Sequence, residues 1–78
     1  MEYNKERINP GDVWQHYKEK DYRIIAVSRS TDDLSWSVVY EALYDNEIST
    51  IWHRSLDEFL SSVEVNGKIV ARFTKKIN

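Results

Sequence analysis

The sequence predicts a mainly β fold: several short antiparallel strands curled into a small barrel, with one short helix. Three observations predict it. Apolar side chains alternate at period 2 through 34–44. Asn66-Gly67 sits between two apolar runs as a hairpin signal. Ser55-Leu56-Asp57-Glu58 has the spacing of a helix capping box, followed by a short helical pattern. Closing such strands into a barrel removes exposed edges, which is the reason to expect closure.

The elements follow in order. Residues 1–9 are polar and expected to be only partly ordered, and 10–78 make a single domain. Pro10-Gly11-Asp12 is a turn, since Pro fixes φ and Gly permits a positive one. A first strand spans 13–18, with Trp14, His16 and Lys18 on one face. Glu19-Lys20-Asp21 turns the chain into a second strand over 22–29. Its consecutive Ile24 and Ile25 suggest partial cover on both faces. The polar loop Ser30-Thr31-Asp32-Asp33 leads into the third strand, 34–44. There Trp36, Val38, Tyr40, Ala42 and Tyr44 share a face. Asp45-Asn46-Glu47 turns into a fourth strand, 48–54, with Trp52 and Arg54 on one face. A helix of about two turns follows Ser55, burying Leu56, Phe59, Leu60 and Val63. It is too short to stand alone and must dock on the sheet. The hairpin 63–65/68–73 then closes the structure with a terminal strand through Phe73.

Composition limits the function. The chain has 78 residues, 41% apolar, 13% aromatic and 31% charged, which is a soluble globular balance. Its formal net charge is −2, so no overall basic charge points to nucleic acid or to an anionic membrane. It has no Cys, hence no disulfide framework, thiolate zinc site or Cys nucleophile. Its longest apolar run, residues 24–27, is far short of a membrane span. Residues 1–7 carry no apolar leader. The expectation is a cytoplasmic protein of bacterial type.

An ordered set of residues carries a family resemblance. The pieces are Gly11, Trp14, His16-Tyr17-Lys18, Tyr22, Val38-Val39-Tyr40-Glu41-Ala42-Leu43-Tyr44, Trp52, Arg54, Phe59, Gly67-Lys68 and Arg72-Phe73. In that order and spacing the chain resembles the small bacterial family Domain of Unknown Function 1653, from about Gly11 to the C-terminus. The resemblance implies an SH3-type β-barrel. It implies no activity.

Candidate chemistry is sparse. His16 shares a strand face with Trp14 and Lys18. It can contact a ligand near neutral pH, or simply bond a neighbour, and a lone His defines no site. Trp52 and Arg54 lie side by side. The guanidinium can stack on the indole and offer its fork to a carboxylate or phosphate. Alternatively its stem covers the core edge while its head pairs with Asp57 or Glu58. Arg72 points opposite to Phe73, toward Arg54 or toward solvent. Tyr40 and Tyr44, with Trp36, are explained by alternation as core aromatics with hydroxyls at the rim. Asp32-Asp33 and Asp57-Glu58 are accounted for by a turn and a helix start. His16 and His53 show no metal-ligand spacing.

The sequence reading is therefore a non-catalytic binding module. It would take a peptide or an anionic ligand on a face of Trp14, His16, Tyr40, Trp52, Arg54 and Arg72, with no metal and no cofactor. The rival is a nucleic-acid-binding barrel that stacks bases on Trp and tracks phosphates with Lys68, Arg72, Lys75 and Lys76. Net charge disfavours it. An enzyme built on His16 lacks a nucleophile–base pair in the sequence.

Overall fold

The computed structural model describes residues 8–45 and 48–76. The chain runs β1 (Val13–His16), β2 (Asp21–Arg29), β3 (Trp36–Ala42), β4 (Ile51–Ser55), α1 (Leu56–Phe59), β5 (Ser62–Val65), β6 (Lys68–Ala71) and β7 (Phe73–Lys75). Most of the expected segments form, with trimmed ends. β1 stops at His16 because the next residues make a tight turn. Glu19 donates its N–H to the His16 carbonyl at 2.7 Å and takes a positive φ of 71°. β3 starts at Trp36 rather than residue 34, since Leu34 is also left-handed, at φ 59°. Its N–H closes the loop onto the Ser30 carbonyl at 2.9 Å. β4 begins at Ile51, three residues later than expected. The Asn46-Glu47 part of the preceding turn lies outside the described residues.

A bulge explains the two consecutive isoleucines of β2. Ile24 pairs with Tyr40 and Ala26 with Val39, so the register shifts between them. Ile24 and Val27 both then reach the core, while Ile25 is 40% exposed. On β3 the period-2 reading holds: Val38, Tyr40 and Ala42 are buried.

The helix is one turn, not two. Ser55 caps it, its Oγ accepting the Glu58 N–H at 3.2 Å. The reciprocal bond from Glu58 does not form. Ser61 ends the helix, donating its N–H and its hydroxyl to the Glu58 carbonyl at 3.1 and 2.6 Å. Val63 therefore belongs to β5 and not to the helical face. Asn66 and Gly67 have φ of 52° and 80°, the positive pair that a type I′ hairpin needs.

The closed barrel is not what forms. Five strands make one sheet in the order β4-β3-β2-β1-β7, and β5 pairs only with β6. The terminal strand breaks at Arg72. The Arg72 N–H donates to Ser61 at 2.9 Å, while its carbonyl accepts from Tyr17 at 2.9 Å. The chain thus leaves β5 and joins β1 at a single residue. No ladder joins β4 to β7 among the described residues, and side chains fill the gap instead. Phe59 of α1 stacks on Phe73 of β7 at 4.1 Å and 11°. Trp14 packs edge-on to Phe59 at 5.3 Å. The core comprises Ile8, Trp14, Ile24, Val38, Tyr40, Leu56, Phe59 and Phe73. Ile8, within the N-terminal segment, is 1% exposed and belongs to the core. Residues 1–7 lie outside the described residues.

These faces set a test. Val38→Asp buries a lone carboxylate and should abolish the cooperative melt, at a cost of several kcal/mol. Val39→Asp, on the opposite face of β3, should keep native near-UV dichroism. The reverse outcome would place β3 one residue out of register.

Candidate functional site

The register of the edge strand puts Trp52 and Arg54 on the core side. Arg54 lies opposite Val38 and Trp52 opposite Tyr40, and both partners are buried. The two side chains therefore share the inner face, as their spacing predicts, but they do not stack on each other. Arg54 instead reaches across the open seam toward β7, with its guanidinium carbon 5.8 Å from the centre of the Phe73 ring. It makes no ion pair with Asp57 or Glu58.

Phe73 is the floor of this seam. Its far face is covered by Phe59. The ring of His16, cross-strand from it, sits edge-on at 4.9 Å and 80°. Tyr22 stands at 5.9 Å. Arg72 precedes Phe73, and its Nε donates to Ser61 Oγ at 3.1 Å. Beyond Tyr22 the hydroxyls of Tyr22 and Tyr44 meet at 2.5 Å. The ammonium group of Lys20 lies 5.0 Å from the centre of the Tyr44 ring.

The electrostatics are one-sided. The described residues form three salt bridges: Arg23–Glu41, Lys75–Asp12 and Lys76–Asp21, at 3.2, 3.3 and 3.0 Å. Arg29 lies 4.4 Å from the centre of the Trp36 ring and donates to the Leu34 carbonyl at 2.9 Å. Arg54 and Arg72 take no carboxylate among the described residues. Partial burial, then Arg54, Arg72 and Lys18, hold His16 below the ordinary imidazole value of 6.5. Its Nδ1 accepts the Lys18 N–H at 3.2 Å, which leaves Nε2 to carry the proton of the neutral ring. Burial, and then the bond to Tyr44, push the Tyr22 phenol well above its usual range, so it remains protonated.

Of the six expected residues, His16, Arg54 and Arg72 converge. Trp14 and Tyr40 are 4% and 5% exposed, so they support the site from beneath rather than form its surface. Trp52 is half-buried against the core, with its Nε1 buried and unpartnered. Sequence reasoning missed Phe73 as the platform and Tyr22 and Ser61 as neighbours. The platform depends on packing between chain segments far apart in sequence. Two hollows lie elsewhere. One, of about 300 Å³, is framed by Arg29, Asp33, Trp36 and Asp57. The other, of about 370 Å³, lies outside β3 and β4 along Val39, Ile51 and His53.

The chain matches the family model described as "Protein of unknown function (DUF1653)" over residues 12–75. It belongs to that family. This DUF1653 chain is also similar to a solved structure, that of a DUF1653 protein from Bordetella bronchiseptica. The two share 25% identity at a TM-score of 0.78, over 91% of this chain and 90% of the other. No curated protein matches it. No helix among the described residues is long and apolar enough to cross a membrane.

The charge cluster has a measurable signature. His16 should titrate below 6.5 by NMR, and Arg54→Ala should move its midpoint up. A folded-state value below the unfolded one means that the unfolded chain binds more protons in that window. The His16 contribution to stability is therefore present above pH 6.5 and lost as pH falls through the folded value. A midpoint at or above 6.5, unmoved in the variant, would contradict this geometry.

Proposed function

We propose that this DUF1653 chain is a non-catalytic binding module, on an SH3-like framework with an open seam, that holds an anionic group at Arg54, Arg72 and His16. The observation that carries the reading is the missing counter-charge. Acids outnumber bases in the chain, 13 to 11, yet these two arginines flank an imidazole with no carboxylate among the described residues. Both like-charge proximity and partial burial cost free energy, and a bound carboxylate or phosphate would relieve them. Arg54, fixed over an aromatic ring, offers a planar fork for such a group. Tyr22, kept protonated, adds a hydroxyl nearby.

Two observations support binding over catalysis and over nucleic acid. The His16 Nδ1 accepts from a backbone N–H rather than from a nucleophile's hydroxyl, so no nucleophile–base pair forms there. Lys75 and Lys76, which would track phosphates in a nucleic-acid reading, are paired with Asp12 and Asp21.

Binding is tested by NMR shift mapping with inorganic phosphate, acetate and a short acidic peptide. At least one probe should shift the His16, Arg54 and Arg72 signals together. Arg54→Ala should weaken that binding by about tenfold or more while leaving the fold intact, since it removes a charge-assisted donor pair. Arg54→Lys should restore it only in part. If none of the probes shifts these signals, or if folded Arg54→Ala binds as the wild type does, the reading is wrong.

A further inference from the structure

An open sheet has two edges, and this chain treats them differently. β7 is short, spans three residues, and ends at Lys75, which with the following Lys76 is tied to Asp12 and Asp21. Lysine on a short edge strand is a standard guard against pairing with another chain. β4 carries no such guard. Its sequence is Ile51-Trp52-His53-Arg54-Ser55. Ile51 is 50% exposed, and Ile48, just before the strand, is 84% exposed.

The hydrogen-bond phase of β4 shows which of its backbone groups face outward. Ala42 donates to the Thr50 carbonyl at 2.8 Å. Tyr40↔Trp52 and Val38↔Arg54 follow in the same phase. In an antiparallel ladder, alternate residues bond to opposite sides. Trp52 and Arg54 thus bond to β3, and Ile51, His53 and Ser55 turn their N–H and C=O groups away. Among the described residues no strand takes that side. The Ile51 carbonyl accepts from Ser49 Oγ at 2.8 Å. The N–H and C=O of His53 meet no partner among the described residues.

We infer that β4 is a self-association edge, and that a second copy of this chain pairs with it antiparallel, centred on His53. The outward-facing residues are symmetric about His53, so a two-fold axis there lets the two His53 residues exchange both backbone bonds. In that register Ile51 faces the partner's Ser55. On the inner face Trp52 falls opposite the partner's Arg54, and Arg54 opposite the partner's Trp52. No like charges oppose one another across that pair. An isologous contact of this kind closes at two copies and does not propagate. It leaves β7, the guarded edge, free. A single five-residue strand pair buries less than the about 1,200 Å² of a standard interface, so the dimer is weak and concentration-dependent.

Sedimentation equilibrium from about 10 µM to about 1 mM tests this on the full chain. The wild type should pass from monomer to dimer across the range. His53→Pro removes the central outward donor while sparing the β3 ladder, as Pro at an edge position facing solvent can. Ile51→Lys adds the missing guard. Each should weaken association by about tenfold or more with an unchanged near-UV spectrum. If His53→Pro fails to fold, Ile51→Lys alone decides. A wild type that stays monomeric at the highest concentration overturns the proposal, including where the true occupant is another protein's strand. So does a folded Ile51→Lys variant that dimerises as the wild type does.

Discussion

Phe59 and Phe73 stack nearly parallel at 4.1 Å, and the rest of the molecule is arranged around that contact. The sheet does not close on itself, so its two ends need another tie. α1 supplies one ring and β7 the other. Trp14 and Tyr40 enclose the pair from the sheet side, at 5.3 and 5.7 Å from Phe59. Offset aromatic stacking adds about 0.5–1.5 kcal/mol beyond the area it buries. In a domain of 78 residues, whose core barely offsets its conformational entropy, such a term matters. It also accounts for the shortness of α1. One turn is enough to deliver Leu56 and Phe59 to the core, and Ser61 ends the helix as soon as they are placed.

The same ring links packing to electrostatics. One face of Phe73 is spent on Phe59, and its remaining surface looks into the seam that the open sheet leaves. Arg54 from one edge and His16 from the neighbouring strand both lean on it. The chain then bends at Arg72 to switch from β5 to β1, and this brings a second guanidinium to the seam. A closed barrel would have filled this space with a ladder. The openness that makes the fold depend on the aromatic stack is also what concentrates cationic groups where no carboxylate among the described residues pairs with them.

Local features were legible in the sequence. The alternation on β3, the Ser55 cap and the positive-φ pair Asn66-Gly67 each follow from the chemistry of a few neighbouring residues. Features set by distant segments were not. The barrel was expected because closure hides edges, but Arg72 bonds to Ser61 and Tyr17 on different elements, and no periodicity reports that. Consecutive Ile24 and Ile25 suggested two covered faces, whereas a bulge turns Ile25 outward and lets Ile24 and Val27 both face in. In the site, spacing placed Arg54 beside Trp52 on the right face. Its actual partner, Phe73, is on the opposite edge of the sheet and was visible only as a core residue. Trp14 and Tyr40, named as part of the ligand face, are core residues, as alternation already implies for Tyr40.

The central claim is that the Phe59–Phe73 contact, rather than strand pairing, ties the open sheet together. A double-mutant cycle with Phe59→Leu, Phe73→Leu and both measures it, read from urea denaturation of the four proteins. Leucine keeps the site apolar and removes the ring. The account predicts that each single change is destabilising and that the pair is non-additive, with a coupling of about 0.5–1.5 kcal/mol. Additive losses would contradict it, because the two rings would then contribute only as separate buried side chains.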